Sequence, residues 1–187
     1  YFRTVYNRET VYADATTETR MRKVAIDDVD IELSPLGVHS VRRPVSDALG
    51  TDHFAMNYFE LEPGESFSGG LHTHHDQEEV FYVQSGEATF EVADEPSTDA
   101  TESVSVGAGE VIRFPPGQFQ EGSNDADNDD PVVGFAFGAP SSKHDWDSIE
   151  SVMPCSECGE ETGHGLSLTE ENTFEFTCTE CGNELSF

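Results

Sequence analysis

Lysine is nearly missing from this chain. Two occur in 187 residues, Lys23 and Lys143, and with seven arginines they face 38 Asp and Glu, for a formal net charge of −29. A surface so poor in cations cannot neutralise a phosphate backbone, so nucleic acid is excluded as a partner. Docking on an anionic membrane is disfavoured for the same reason. Long apolar runs are also absent. No stretch approaches the roughly 20 residues of a membrane span. No N-terminal apolar block reads as a secretory signal, which sets the expectation of a cytoplasmic protein. Cysteine is absent from the first 154 residues, and all four lie between 155 and 181. Segments with the 3.6-residue apolar period of an amphipathic helix are few.

What is present suffices for a core. Thirteen Phe, five Tyr and many Val and Ile sit in short apolar runs, so the charge does not imply disorder. The length suits one domain, or a medium domain plus a small module. In dilute buffer this much like charge strains a compact state through self-repulsion. Molar salt shortens the screening length to about 3 Å. The composition resembles that of proteins from salt-loving microbes that accumulate salt internally, so a halophilic protein is expected.

The chain divides by pattern. Residues 1–22 are polar, hold four of the seven arginines and read as an N-terminal arm, with a short strand around Val5 to Val11 that pairs with the body of the protein or with a second subunit. From 23 to 147, short β-type runs alternate with Gly, Pro, Asp and Asn. Strands are expected at 38–45, 54–61, 79–84, 88–93, 102–106, 110–114 and 132–137. Such regular short strands indicate an all-β sandwich or small barrel. Residues 141–152 read as a linker or short helix, and 148–187 form linker plus a cysteine-bearing module.

Two motifs carry chemistry. The first runs through His72-Thr73-His74-His75-Asp76-Gln77-Glu78-Glu79-Val80-Phe81-Tyr82-Val83. In a strand, residues two apart share a face, so His72 and His74 project together. Glu79, Phe81 and Val83 share one face of the next strand, and Val80 and Tyr82 the other. A carboxylate leading an apolar face is costly unless paired or metal-bound. Two imidazoles and a carboxylate form the facial set typical of non-haem iron, with open positions. Glu78 lies on the wrong face and reads as a solvated turn carboxylate.

With these residues the chain resembles the cupin superfamily. His72, His74, Glu79 and Gly86 match the spacing of the first cupin motif, whose leading glycine falls on Ser66. Gly109, Pro115, Gly117 and Asn124 match the second, and the position of its histidine is Gln120. The resemblance implies a double-stranded β-helix, the jelly-roll barrel, across about 24–140. It also implies a divalent metal (Fe, Mn, Ni or Zn) held by His72, His74, Glu79 and the residue at 120. Gln offers a neutral carbonyl, harder and weaker than imidazole. Gln120 could ligate directly, hydrogen-bond a metal-bound water, or leave a three-ligand site; the first two are favoured. Alternatively the site has decayed to a polar pocket. His39, His53, His144 and His164 are isolated and are not expected to be ligands.

The second motif is Cys155-Ser-Glu-Cys158-Gly159 and Cys178-Thr-Glu-Cys181-Gly182. Each CxxC turn presents two thiolates to one ion, and the following glycine permits the tight turn. Four sulfurs give the closed tetrahedral shell of structural zinc, and the pair resembles a zinc ribbon with strands at 166–168 and 173–177. So small a module needs metal to fold. Residues 153–187 contain eight Glu and no Lys or Arg, so this ribbon is read as structural or protein-binding and not as a nucleic-acid reader.

Other signals are weaker. Ser123 to Asp130 begins like a calcium loop but lacks the glycine and glutamate of the EF-hand rule. Arg113 could clamp an anionic substrate, though a salt bridge to a neighbouring acid fits so acidic a chain better. The resulting expectation is an all-β cupin barrel with a C-terminal zinc ribbon. It is expected to be a metalloenzyme on a small organic molecule, dioxygenase- or isomerase-like, with Glu79 and Gln120 as candidate catalytic residues. The alternative is a non-catalytic ligand-binding or sensor cupin that signals through its ribbon. A homodimer is expected, because Val80 and Tyr82 leave an apolar outer face.

Overall fold

The computed structural model describes residues 21–34, 36–143, 146–169 and 173–186. The expected strand around Val5 to Val11, and His144, lie outside the described residues. Among the described residues there are thirteen strands, and every strand pairing is antiparallel: β1 (Val41–Pro44), β2 (Ala55–Leu61), β3 (His72–His74), β4 (Glu78–Ser85), β5 (Glu87–Ala93), β6 (Glu102–Gly107), β7 (Val111–Phe114), β8 (Phe119–Ser123), β9 (Val132–Ala139), β10 (Ile149–Cys155), β11 (Glu160–Leu168), β12 (Phe174–Cys178) and β13 (Glu184–Ser186). They form two sheets, β1-β2-β9-β4-β7 and β13-β12-β11-β10-β3-β8-β5-β6. One helical turn, α1 (Val45–Leu49), follows β1.

Period-two alternation builds the core. Along β9, Val132, Gly134, Ala136 and Gly138 are buried, while the residues between them are half-buried on the outer face. Phe59 and Leu61 from β2, Phe81 and Val83 from β4 and Phe114 from β7 meet Ala88 and Phe90 from β5 and Val106 from β6. Phe67, in the loop before β3, stacks on Phe90 with ring centroids 5.9 Å apart and planes 13° from parallel. That stack lies over Gly122, where a Cβ would come within 2.4 Å of the Phe90 ring. These aromatics fill one end of the barrel and leave β3 and the start of β4 at the other.

Two motif residues turn out to hold the scaffold. Asn124 is buried and donates from its amide to the carbonyls of Leu61 (2.8 Å) and Asp130 (3.1 Å), which ties β8 to β2 and to the loop before β9. Gly86 has φ +80°, and a Cβ there would lie 2.6 Å from the Pro131 carbonyl. Ser66, at the motif's variant glycine, needs no positive φ; its backbone bridges Ser123.

Several segments differ from expectation; in the cysteine module the strand expected at 166–168 runs from 160 to 168, and 184–186 is a further strand. The strand expected at 38–45 covers 41–44: pairing with β2 begins at Val41, and the strand ends at Pro44, which has no N–H with which to extend the ladder, after which the chain turns helical until Gly50 at φ +67°. Phe119–Ser123, which has no β-branched residue, is nonetheless a strand because β5 and β3 flank it. Residues 146–148 make a 3-10 turn, and 149–155 are strand rather than linker or helix. There Ile149, Ser151 and Met153 share one face, and β3 offers β10 an edge to pair with.

Candidate metal centre

β3 turns both imidazoles into the barrel. His72, His74 and Glu79 each offer one ligand atom, and these atoms lie within 4.8 Å of one another. The ring of His72 is oriented by the Gly70 carbonyl, which can only accept. Nδ1 therefore carries the proton (2.9 Å), and the Nε2 lone pair faces the site. His74 Nε2 lies 3.6 Å from Glu79 Oε1. The row around Glu79 runs Ala55, Gly138, Glu79, Phe114, so its β9 and β2 neighbours are small. Burial pushes the Glu79 carboxyl up to about 7, opposed by a hydrogen bond from Gln120. Burial also lowers His72, opposed by its bond to Gly70.

Gln120, 2 % exposed, sits opposite His72 across β3 and β8. Its amide nitrogen donates to Glu79 Oε2 at 2.8 Å and lies 3.4 Å from His72 Nε2. The amide N–H donates and the Glu79 oxygen accepts, so the N–H side of the amide faces the carboxyl group. The amide carbonyl is then turned away, buried and without a hydrogen-bond partner. The donor set fits a divalent ion: two neutral imidazole nitrogens, one carboxylate, and no Lys or Arg within salt-bridge reach of that carboxylate among the described residues.

The second cluster lies along the same eight-stranded sheet, toward its β13 edge. Cys155, Cys158, Cys178 and Cys181 are unbridged, with sulfurs within 4.8 Å of one another. Cys155–Cys181 and Cys158–Cys178 are 3.6 and 3.9 Å apart. Zinc–sulfur bonds of about 2.3 Å in a tetrahedron separate the sulfurs by about 3.8 Å. The two knuckles are alike: Gly159 N–H donates to Cys155 O (2.8 Å) and Gly182 N–H to Cys178 O (3.0 Å), both glycines at positive φ. The Thr162 hydroxyl, 3.2 Å from Cys178 sulfur, pulls that thiol down to about 6, while contact with the Cys181 thiol pushes Cys158 up.

Residues 57–133 match the cupin domain family. Those residues form a cupin domain. No curated protein sequence matches the chain. Solved structures show the same fold. A protein of Acidithiobacillus ferrooxidans, assigned provisionally as a sugar phosphate isomerase, is 19 % identical over 93 % of this chain and 89 % of its own, with a TM-score of 0.51. A cupin superfamily sugar phosphate isomerase of Silicibacter pomeroyi is 19 % identical over 89 % and 92 %, also at 0.51. Oxalate decarboxylase of Lactobacillus farciminis, in a formate complex, is 19 % identical over 67 % of this chain at 0.50, and the chain spans 34 % of that protein.

The remaining candidates of this cupin fall outside both clusters. Arg113 Nε donates to Glu78 Oε2 at 2.6 Å on the outer face, the salt bridge expected, so neither lines the site. His39 is a core residue, its Nδ1 donating to Ser66 O (3.1 Å) and its ring edge-on to Phe59. His53 is exposed and His164 fully buried. Two orienting groups escaped the sequence reading. Gly70 acts through a carbonyl, which any residue carries. Thr162 meets Cys178 across two strands, and no local spacing links them.

Proposed function

We propose that His72, His74 and Glu79 hold a divalent metal ion and that the cupin is a metalloenzyme acting on a small organic molecule, with dioxygenase- or isomerase-like chemistry. The convergence of three ligand atoms within 4.8 Å beside a phenylalanine-packed core carries this reading. A bound Fe, Mn, Ni or Zn would supply Lewis-acid polarisation of a substrate oxygen. The chain's own residues do the rest. Gly70 fixes the His72 tautomer, and Gln120 fixes Glu79 through its amide. Phe81 and Phe114 exclude water from the inner side of the carboxylate. With its N–H group committed to Glu79, Gln120 supports the site as a positioning residue instead of a direct ligand. The isomerases among the structural neighbours are consistent with a small-molecule substrate.

The four cysteines hold structural zinc in this reading. Metal analysis in a salt-matched buffer tests it. Intact protein should carry one zinc at the cysteines plus a second divalent ion. His72→Ala should lose the second ion and keep the zinc. A single metal per chain in carefully purified protein would remove the enzyme reading. It would leave a ligand-binding cupin, the reading that the Gln at position 120 favours.

A homodimer belongs to the same proposal. On the outer face of the five-stranded sheet, Tyr58, Phe135, Tyr82 and Val111 form one cross-strand row, and Met56, Phe137 and Val80 lie in the next. Sedimentation in molar salt should give twice the monomer mass, and Tyr82→Glu should return it to monomer.

A further inference from the structure

The two metal clusters share one sheet and one row of that sheet. Gln120 pairs with His72, His72 with Ser151, Ser151 with His164, and His164 with Cys178. Directly opposed residues point to the same face, so a barrel ligand and a ribbon ligand stand on one face with two residues between them. Three strand spacings separate them, about 14 Å. The space between is packed: His164 is completely buried, its Nδ1 donating to the Thr162 carbonyl at 3.0 Å.

The strand in the middle, β10, serves both sites. Its first three residues, Ile149 to Ser151, pair with all three residues of β3, whereas β8 pairs with His72 alone. Backbone bonds extend this ladder at both ends: His75 N–H donates to Ser148 O and Val152 N–H to Leu71 O, each 2.8 Å. His75 Nε2 and Glu150 Oε2 add a contact of 2.9 Å. Beyond β10, β3 is restrained by the Gly117 N–H on the His74 carbonyl. The other edge of β10 pairs with β11 from Glu150 to Cys155, and its last residue is a ribbon cysteine. The module beyond it has few buried apolar side chains, Leu166 chief among them. Without metal only weak thiol contacts join the four cysteines, so the Cys155 end of the β10–β11 hairpin would lose the bonds that a shared ion supplies.

We propose that the zinc ribbon clamps the barrel site: metal in the four-cysteine cluster holds β10 in place, β10 holds β3, and emptying the cluster weakens metal binding by His72 and His74. This rests on the metal-binding reading of the barrel given above. Groups that orient ligands without touching the metal change affinity by about 10- to 100-fold, which sets the size of the effect. By linkage, the barrel ion must raise zinc affinity by the same factor.

The test uses the full chain in molar salt, with zinc in the ribbon and Mn2+ as the probe of the barrel, titrated by electron paramagnetic resonance. Releasing the zinc with a mercurial thiol reagent should weaken Mn2+ binding at least tenfold. Excess thiol and one equivalent of zinc should restore it. Cys181→Ser should shift Mn2+ affinity in the same direction without chemical modification, and the barrel's own melting transition should survive in both. Mn2+ affinity within twofold of the starting value while the zinc is gone overturns the clamp. So does loss of the barrel transition, because the module would then be holding the whole fold. An intact, zinc-loaded protein that takes up no Mn2+, and whose metal content is unchanged by His72→Ala, overturns the barrel reading itself.

Discussion

Glu79 is a buried carboxyl group with no Lys or Arg in salt-bridge reach among the described residues. Its partners are one amide N–H and an imidazole 3.6 Å away, and burial pushes it up to about 7. The metal-free fold therefore binds this proton more tightly than the unfolded chain, where the value is about 4.5. Stability from the proton is fully present below about 4.5 and is lost as pH rises toward 7, a difference on the order of 3 kcal/mol. Metal-free wild type should thus lose melting temperature across that window relative to Glu79→Gln. Bound Mn2+ should abolish the difference slope by taking the proton's place. Calorimetry from pH 4.5 to 7.5 on both proteins reads it, and parallel curves would show that Glu79 is not the buried acid described. The same residue shows what was legible. Its phase relative to Phe81 and Val83 placed it inward from the sequence alone. Its amide partner was visible only as a motif position; that the amide would face Glu79 rather than the ion depends on side-chain geometry that spacing does not encode.

At the level of strands, legibility followed hydrophobic period. β4, β5 and β9 alternate and were foreseen near their true bounds. β8 was missed because its sequence, Phe-Gln-Glu-Gly-Ser, is polar on the face that lines the site. β10 was misread as linker or helix because only pairing with β3 and β11 makes it a strand. Gly122 in β8 illustrates the cost of local signals pointing away from structure: glycine usually weakens a strand, yet here nothing larger fits. A Cβ at this position would lie 2.4 Å from Phe90 and 2.9 Å from Phe67. Gly122→Ala should destabilise the barrel by about 1–3 kcal/mol through displacement of that stacked pair. For a chain of this size that is about 2–4 °C of melting temperature per kcal/mol. Because Gln120 is two residues away on the same face, barrel metal affinity should fall as well. A variant with unchanged melting temperature would mean that the aromatic stack yields without cost.

Across the whole molecule, charge dominates. A formal charge of −29 on 187 residues is opposed by few ion pairs: among the described residues, Arg42 with Glu32 and Arg113 with Glu78 are those involving arginine. Both sit on the surface, where such pairs contribute about 0–1 kcal/mol. The remaining carboxylates repel one another through solvent, and at 0.1 M salt the screening length of about 10 Å lets each feel several neighbours. At 1 M it falls to about 3 Å, less than the spacing of most surface charges. Folding concentrates the charge, so repulsion opposes the compact state and salt favours it. We expect the zinc-loaded protein to gain on the order of 10 °C in melting temperature between 0.1 and 2 M KCl, equivalent to about 3 kcal/mol at this chain length. Most of the gain should come below 1 M, because screening saturates there, whereas the strengthening of apolar burial by a kosmotropic anion, a salting-out effect, grows steadily with concentration. KCl and potassium sulfate series at matched ionic strength separate the two contributions. A flat KCl profile would show that the acidic surface is spaced well enough to fold in dilute buffer, and the expectation of a salt-adapted protein would fall with it.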